Sequence, residues 1–306
     1  MSSLLADAKG WYMKHLLSSF ILVVFLLVAC MPSVGDRIKI EGNNPFSYAI
    51  PYAIYSDLAY KSEEVIKDSV TQGYVLDEYG VISDIDVAYF MLSNAVDKTH
   101  LISIRGTANV ENTLLDMKAK LIPNRQLKIL AHEGFSLGGE LIFAKIKDKI
   151  NPDYQIITTG HSLGGAIAVT LAMYLDLNQH NVKKIVTFGQ PKVTDITGSE
   201  VFAHLPLQRF ALEKDLVPMV PPVDPTTTDI GIYWHLGEEI VFYSDNSYRE
   251  LAGLKAMSRM KDFLGKVPSK ANLKHHRMAS YMALVSQSEV LKSELSESEA
   301  TNSDVK

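Results

Sequence analysis

The stretch YQIITTGHSLGGAIAVTLAMYLDL, residues 154–177, sets a β-branched run, a glycine-flanked serine and a helix-forming segment in direct succession. Tyr154 to Thr159 reads as a strand, and Ala166 to Leu177, built largely from small and apolar residues, reads as a helix. Between them, Gly160-His161-Ser162-Leu163-Gly164-Gly165 leaves no room for a loop. A strand turning this sharply into a helix presents the serine at its tip, with the helix N-terminus aimed at the same point. Gly160 and Gly164 suit that geometry, because a serine in a strained conformation brings neighbouring backbone too close for a Cβ. Ala166, Ala168 and Ala172 let the helix lie close on the sheet.

The chain contains a control for this reading. Gly134-Phe135-Ser136-Leu137-Gly138 has the same G-x-S-x-G pattern. No uninterrupted β-branched run leads into it through Ala131-His132-Glu133. Leu141, Ile142, Ala144, Ile146 and Ile150 then recur at helical spacing through Glu140 to Ile150. Ser136 is therefore expected in the first turn of a packing helix. Ser162 is the serine placed for attack, and the reaction class this implies is acyl transfer through a serine ester.

Working outward, Phe46 to Lys61 is expected to be helical despite Pro51, and Val87 to Leu92 and Leu101 to Arg105 to be strands. Asn109 to Ile122 reads as a helix, and Lys184 to Phe188 and Gln208 to Leu212 as further strands. Ile230 to Leu236 and Glu239 to Tyr243 look like a hairpin around Gly237, with helical segments following to about Leu291. Strands alternating with helices imply an α/β domain with a mostly parallel sheet covered on both faces. The expected division is a leader over 1–29, a tether over 30–45, one domain over 46–288, and an acidic disordered tail over 289–306. That tail holds five acids and two lysines among serines.

The composition fits an enzyme-sized domain. Of 306 residues 47% are hydrophobic, enough for a sizeable core. The net charge of −5 offers no basic stripe for phosphates, so nucleic acid is not an expected partner. A single cysteine excludes an intramolecular disulfide and a cysteine-built metal site, and no H-E-x-x-H pattern occurs. No cofactor is expected.

That cysteine, Cys30, closes the leader. Met13-Lys14-His15 is a short basic start, and Leu16 to Ala29 is nearly all apolar. As a helix it would reach about 21 Å, short of the ~30 Å hydrocarbon core, which suits a signal-peptide core better than an anchor. Leu27-Val28-Ala29-Cys30 resembles a bacterial lipobox, in which the cysteine is lipidated and becomes the mature N-terminus. With Met31 rather than aspartate next, the Gram-negative sorting rule implies the outer membrane. A true start at Met13 would remove the atypical Met1 to Tyr12.

From about Phe46 to Ser286 the chain resembles the class 3 lipases, a branch of the α/β-hydrolases. The resemblance rests on Ile104-Arg105-Gly106-Thr107, His132-Glu133-Gly134-Phe135 and Thr159 to Ala166. It continues through Thr187-Phe188-Gly189-Gln190-Pro191, Asp215-Leu216-Val217-Pro218, Tyr233 to Gly237, and His276-Arg277-Met278 with Tyr281. The order of these motifs along the chain adds to their weight.

Ser162 needs a base, and nine histidines are available. His275 and His276 follow the last strand, where α/β-hydrolases carry the triad histidine, and the resemblance selects His276. His161 is expected to point away from Ser162 and to serve structure, and His235 lies in a strand-like alternation. The orienting acid should fall between serine and histidine. Asp215 sits at a strand's carboxyl end, with Asp195 as the alternative, and the resemblance favours Asp215. Leu163 N–H supplies one oxyanion donor by the geometry of the elbow. By resemblance Thr107 supplies the other, and Asn109 to Ile122 falls where the family carries its lid.

The resulting expectation is a serine ester hydrolase working on acyl lipids at a membrane or lipid interface, tethered through lipidated Cys30. Phospholipids or small esters are the alternative substrates, and a non-catalytic lipid- or partner-binding lipoprotein is the alternative class.

Overall fold

A computed structural model describes residues 37–40, 45–71, 73–106, 120–224, 231–259 and 273–283. The leader with Cys30, Thr107, residues 109–119 of the expected helix and the tail 289–306 lie outside the described residues.

The chain opens with β1 (Ile38–Lys39), a short 3-10 turn, α1 (Ile50–Leu58) and α2 (Glu63–Ser69). Three strands follow, β2 (Val75–Ile82), β3 (Val87–Asn94) and β4 (Thr99–Ile104). Then come β5 (Leu121–Asn124), β6 (Ile129–His132), α3 (Glu133–Ile146), β7 (Gln155–His161), α4 (Leu163–Leu177) and β8 (Val182–Phe188). The remainder is β9 (Thr194–Asp195), α5 (Ile196–Val201), β10 (Leu207–Leu212), β11 (Val223–Asp224), β12 (Gly231–Trp234), β13 (Glu238–Phe242), β14 (Ser247–Leu251) and α6 (Leu254–Met257).

Among the described residues the large sheet runs β1-β14-β13-β10-β8-β7-β4-β3-β2. Its middle is parallel, from β4 through β7, β8 and β10 to β13. Both flanks are antiparallel, so the mostly parallel sheet expected from the sequence is confined to the centre. Short connections explain the flanks, since a crossover helix needs a dozen or more residues and the β3–β4 and β13–β14 turns have only a few. This is the α/β-hydrolase arrangement, with β7 and Ser162 near the middle.

Alternation divides the core. Tyr89 and Met91 of β3 face the layer of α3 and α4, with Ile142, Ile146, Ile167 and Leu171. Phe90 and Leu92 face the opposite layer, with Tyr55, Leu58 and Ile66. Helix α4 is buried along its whole run from Gly164 to Leu175, because the sheet covers one side and α3 the other. Truncating Leu171 to alanine there would cost about 2–5 kcal/mol.

A smaller sheet, β11-β12-β9-β6-β5, stands apart from the large one. It corrects two expectations. Ile230 to Leu236 and Glu239 to Tyr243 do not form a hairpin, because β12 pairs with β9 and β11 while β13 pairs with β10 and β14. Gly237, at φ 72, is where the chain passes from one sheet to the other, with Leu207 against the place a Cβ would take. The real hairpin turns at Asn246, φ 57, between β13 and β14. The second correction is at Ile122, which with Leu121 belongs to β5 rather than to a helix. In addition, Ile38–Lys39 of the expected tether pairs with Ser247–Tyr248 at the sheet edge.

Candidate active site

Ser162 lies between the last residue of β7 and the first of α4, at φ 60 and ψ −131. A non-glycine residue with φ in that region carries strain that only over-determining surroundings can hold. Here Ser162 N–H donates to Phe188 O at 2.9 Å, and Ala166 N–H to Ser162 O at 3.2 Å. A Cβ on Gly164 would sit 2.1 Å from Ile104 O, and one on Gly160 2.6 Å from the Gly164 backbone. The two glycines are required by this packing.

Asp215 follows β10 and is fully buried, as is His276 in the 3-10 turn Lys274–His276. His276 Nδ1 donates to Asp215 Oδ2 at 2.8 Å. Tyr281 Oη donates to the same oxygen at 2.5 Å, and Val217 N–H to Oδ1 at 2.9 Å. Burial by itself pushes the Asp215 pKa upward. The charge of His276 and the three hydrogen bonds outweigh it and bring the carboxyl below its ordinary value. With Nδ1 committed to Asp215, His276 Nε2 is buried and has no hydrogen-bond partner among the described residues. Two contacts bring the pair to the elbow. The His161 ring stacks on the His276 ring at 4.6 Å, and Gly189, the residue after the Ser162 acceptor Phe188, packs against both His276 and Asp215.

The turn after Asp215 is held by buried cations and a histidine. Lys192 Nζ donates to Met219 O at 2.6 Å, His235 Nε2 to Pro218 O at 2.5 Å, and Arg259 to Leu212 O at 3.2 Å and Glu239 at 2.6 Å. Burial, and the repulsion of Arg209 and Arg259 against the attraction of Glu239, take the Lys192 pKa down to about 7. His235, weighed in the sequence as a base, is thus spent on holding the acid's loop.

The other candidates fall elsewhere. Asp195 caps α5, accepting from Gly198 N–H at 2.8 Å. His275 is half-exposed beside Lys274, while its neighbour His276 holds the buried place. Leu163 opens α4, where a first-turn N–H has no intrahelical acceptor. Ser136 lies inside α3, its Oγ donating to Glu133 O at 3.2 Å. Strand β6, Ile-Leu-Ala-His, leads into α3 although no β-branched run marks it, and His132 caps the helix through Phe135 N–H. Among the described residues no group of three or more His, Cys, Asp and Glu is arranged for a metal ion.

Two arrangements escaped the sequence reading. Tyr281 was visible only as a motif residue, and its hydrogen bond to Asp215 depends on helical spacing after His276. The second is another serine–histidine–aspartate group at Ser93, His100 and Asp77. Ser93 Oγ lies 2.7 Å from His100 Nδ1 and donates to Asp77. His100 Nε2, however, accepts Asn151 N–H at 2.9 Å. Its base nitrogen is therefore occupied, and the group joins β2, β3, β4 and the loop before β7.

Residues 101–224 match the family model of Lipase (class 3). The secreted mono- and diacylglycerol lipase 1 of Fusarium solani is 26% identical over 251 residues, covering 69% of this chain and 72% of that protein. A lipase of Rhizomucor miehei is 31% identical over 167 residues, covering 49% of this chain and 43% of that protein, so the chain spans less than half of it. The solved structure of the Rhizomucor miehei triacylglyceride lipase superposes with a TM-score of 0.59 at 22% identity, over 74% of this chain and 91% of that one.

Proposed function

We propose that this chain, of the class 3 lipase family over residues 101–224, is a serine ester hydrolase acting on acyl lipids, with Ser162 as nucleophile, His276 as base and Asp215 as the orienting acid. The observation that carries the reading is the buried Asp215–His276 pair, whose Nε2 has no hydrogen-bond partner among the described residues and whose ring stacks on His161, the residue before an elbow serine at φ 60. In the first half-reaction the Ser162 hydroxyl proton passes to Nε2 while Oγ bonds to the ester carbonyl carbon. The carbonyl π electrons move onto oxygen, and the backbone N–H of Leu163, with that of Thr107, stabilises the oxyanion. Collapse expels the alcohol, which takes the proton from Nε2. Water then repeats the sequence on the acyl-enzyme and releases the fatty acid. Asp215, held ionised, keeps Nδ1 protonated and stabilises the imidazolium formed in each half.

The substrate class follows from the family and from the lipases it resembles. Acylglycerols are the first choice, since the Fusarium relative carries mono- and diacylglycerol in its name. A chain-length series of glycerol and p-nitrophenyl esters beside a diacyl phospholipid tests this. Release of fatty acid from acylglycerols is the expected result, and turnover of the phospholipid alone would move the assignment to a phospholipase.

The leader supports a location. Leu16 to Ala29 and the lipobox-like Leu27-Val28-Ala29-Cys30 favour cleavage before Cys30 and lipidation of its thiol, with Met31 favouring the outer membrane of a Gram-negative cell. Among the described residues no helix is long and apolar enough to cross a membrane. Labelled palmitate should enter the full chain and not Cys30→Ala. Equal labelling of both, or of neither, would contradict a lipid anchor at that residue.

A further inference from the structure

The ring of His161 stands at a junction that the triad does not use. His161 is buried, 2% exposed, and its side chain turns away from the elbow toward α1 and the His276 segment. Its Nε2 lies 2.6 Å from His276 O, and a carbonyl can only accept, so Nε2 carries the proton. Burial first, and then the neighbouring His276, take the His161 pKa down to about 3. The ring is therefore neutral, and its Nδ1 is an acceptor. Tyr60 Oη, 2.8 Å away, must donate to it. Burial pushes the Tyr60 pKa up, so it remains a phenol, and its oxygen accepts in turn from Gly106 N–H.

The donors thus run one way: Gly106 N–H to Tyr60, Tyr60 O–H to His161 Nδ1, His161 Nε2–H to His276 C=O. Three segments meet on one imidazole. Tyr60 comes from the turn ending α1, Gly106 from the end of β4 just before Thr107, and His276 from a segment more than a hundred residues downstream. The fit around Gly106 is close. A Cβ there would lie 2.4 Å from Tyr60 Oη, 2.6 Å from His161 O and 3.2 Å from Ser162 Cβ. The His161 ring also stacks on His276 and meets Tyr281 edge-on at 5.8 Å.

We infer that Tyr60 and His161 are a positioning pair that sets the catalytic imidazole and the start of the oxyanion loop in register with Ser162. The inference rests on the triad reading above and adds two residues to it. Removing the Tyr60 hydroxyl strands the His161 Nδ1 lone pair and takes the acceptor from Gly106 N–H. The ring keeps its Nε2 proton on His276 O, but it loses the bond that fixes its tilt, and the His276 backbone and Gly106 lose their common anchor. Proton transfer and oxyanion stabilisation both suffer, whereas acyl-chain binding does not. The loss falls on kcat rather than KM.

The test uses the full chain and a soluble short-chain p-nitrophenyl ester from pH 5 to 10, with competent sites counted by a p-nitrophenyl phosphonate. Tyr60→Phe should lower kcat per competent site about 10- to 50-fold with KM within about twofold, and displace the acid limb of kcat/KM. His161→Gln, which keeps a donor near the Nε2 position, should retain several-fold more activity than His161→Ala. Adding Tyr60→Phe to His161→Ala should cost less than Tyr60→Phe costs in the parent, because only the contact to Gly106 N–H is left for it to remove. A Tyr60→Phe enzyme with wild-type kcat and pH profile per site would overturn the pairing, as would losses that multiply in the double variant. Residual full activity in Ser162→Ala would instead remove the triad reading, whereas an inert Ser162→Ala beside an unimpaired Tyr60→Phe defeats this pairing alone.

Discussion

Two serines in this molecule carry the same five-residue signature, and both follow a strand and meet a helix. Ser136 stands four residues into α3, and its hydroxyl is used up on the carbonyl of Glu133. Ser162 stands before the first residue of α4, in a left-handed conformation, with the Asp215–His276 pair beside it. The difference between them is a matter of a few residues of register and of the sheet each strand belongs to. Strand β7 is central and parallel, so its carboxyl end opens toward the loops after β4, β8 and β10, which bring Gly106, Gly189 and Asp215. Strand β6 is a short antiparallel member of the smaller sheet, and its end leads to no such gathering. A nucleophile is made by what converges on it.

The largest effect that sharpens this contrast is on turnover. Ser162→Ala should lower kcat by about 10⁶-fold, as removal of a triad serine does elsewhere. Ser136→Ala should leave it within about twofold, both measured on purified protein with a tributyrin pH-stat assay. Next in size, Asp215→Asn should cost about 10⁴-fold in kcat, because the amide permits the wrong imidazole tautomer. Tyr281→Phe removes one of three hydrogen bonds to that carboxylate and should cost far less, on the order of tenfold. Equal losses in Asp215→Asn and Tyr281→Phe would show that the tyrosine does more than steady the acid.

The glycines distinguish the motifs by stability. Gly164→Ala and Gly160→Ala drive a methyl into backbone that cannot yield, and should lower unfolding free energy by 3 kcal/mol or more, on the order of a severe core lesion. At Gly134 the nearest atom to a new Cβ is the His132 ring at 3.7 Å, so Gly134→Ala should stay within about 1 kcal/mol and gain helix propensity. Urea titrations followed by circular dichroism compare them. Similar midpoints for Gly164→Ala and Gly134→Ala would mean that the backbone around the elbow yields to a methyl.

The last effect is read in acid. His161, with a folded pKa of about 3, and His132, brought down to about 4 mainly by burial, are neutral in the fold. Unfolding releases them to their ordinary value near 6.5, so below that pH the unfolded state binds more protons. Their contribution is fully present above pH 6.5 and is lost as pH falls toward 4 and 3. Each contributes a slope of about 1.4 kcal/mol per pH unit in that window. His161→Gln should make the fall of melting temperature between pH 6.5 and 4 shallower than in the parent. An unchanged slope would mean that His161 is protonated in the fold.

Much of this site was legible along the chain. The elbow is local, and Asp215 and His276 stand at the ends of segments whose type is readable from pattern and family motif. The hairpin of β5 and β6 was missed because Pro123 and the polar turn beside it mask four-residue strands. Strands β1 and β14 were missed because two- and five-residue edges with charged side chains have no pattern until their partners are known. The expected hairpin at Gly237 failed because a glycine at positive φ serves equally for reversal and for a change of sheet. Tyr60 could not be read at all. Its partner lies 101 residues away, and nothing near Lys61 or Ala59 marks the tyrosine as special.

Covalent capture tests the central claim most directly. The full chain is treated with a p-nitrophenyl alkylphosphonate, digested and sequenced by mass spectrometry, with release of nitrophenol counted. One equivalent of nitrophenol, complete inactivation and the phosphonyl group on the peptide containing Ser162 are the predicted result. Label on Ser136, or inactivation with Ser162 unmodified, would contradict it.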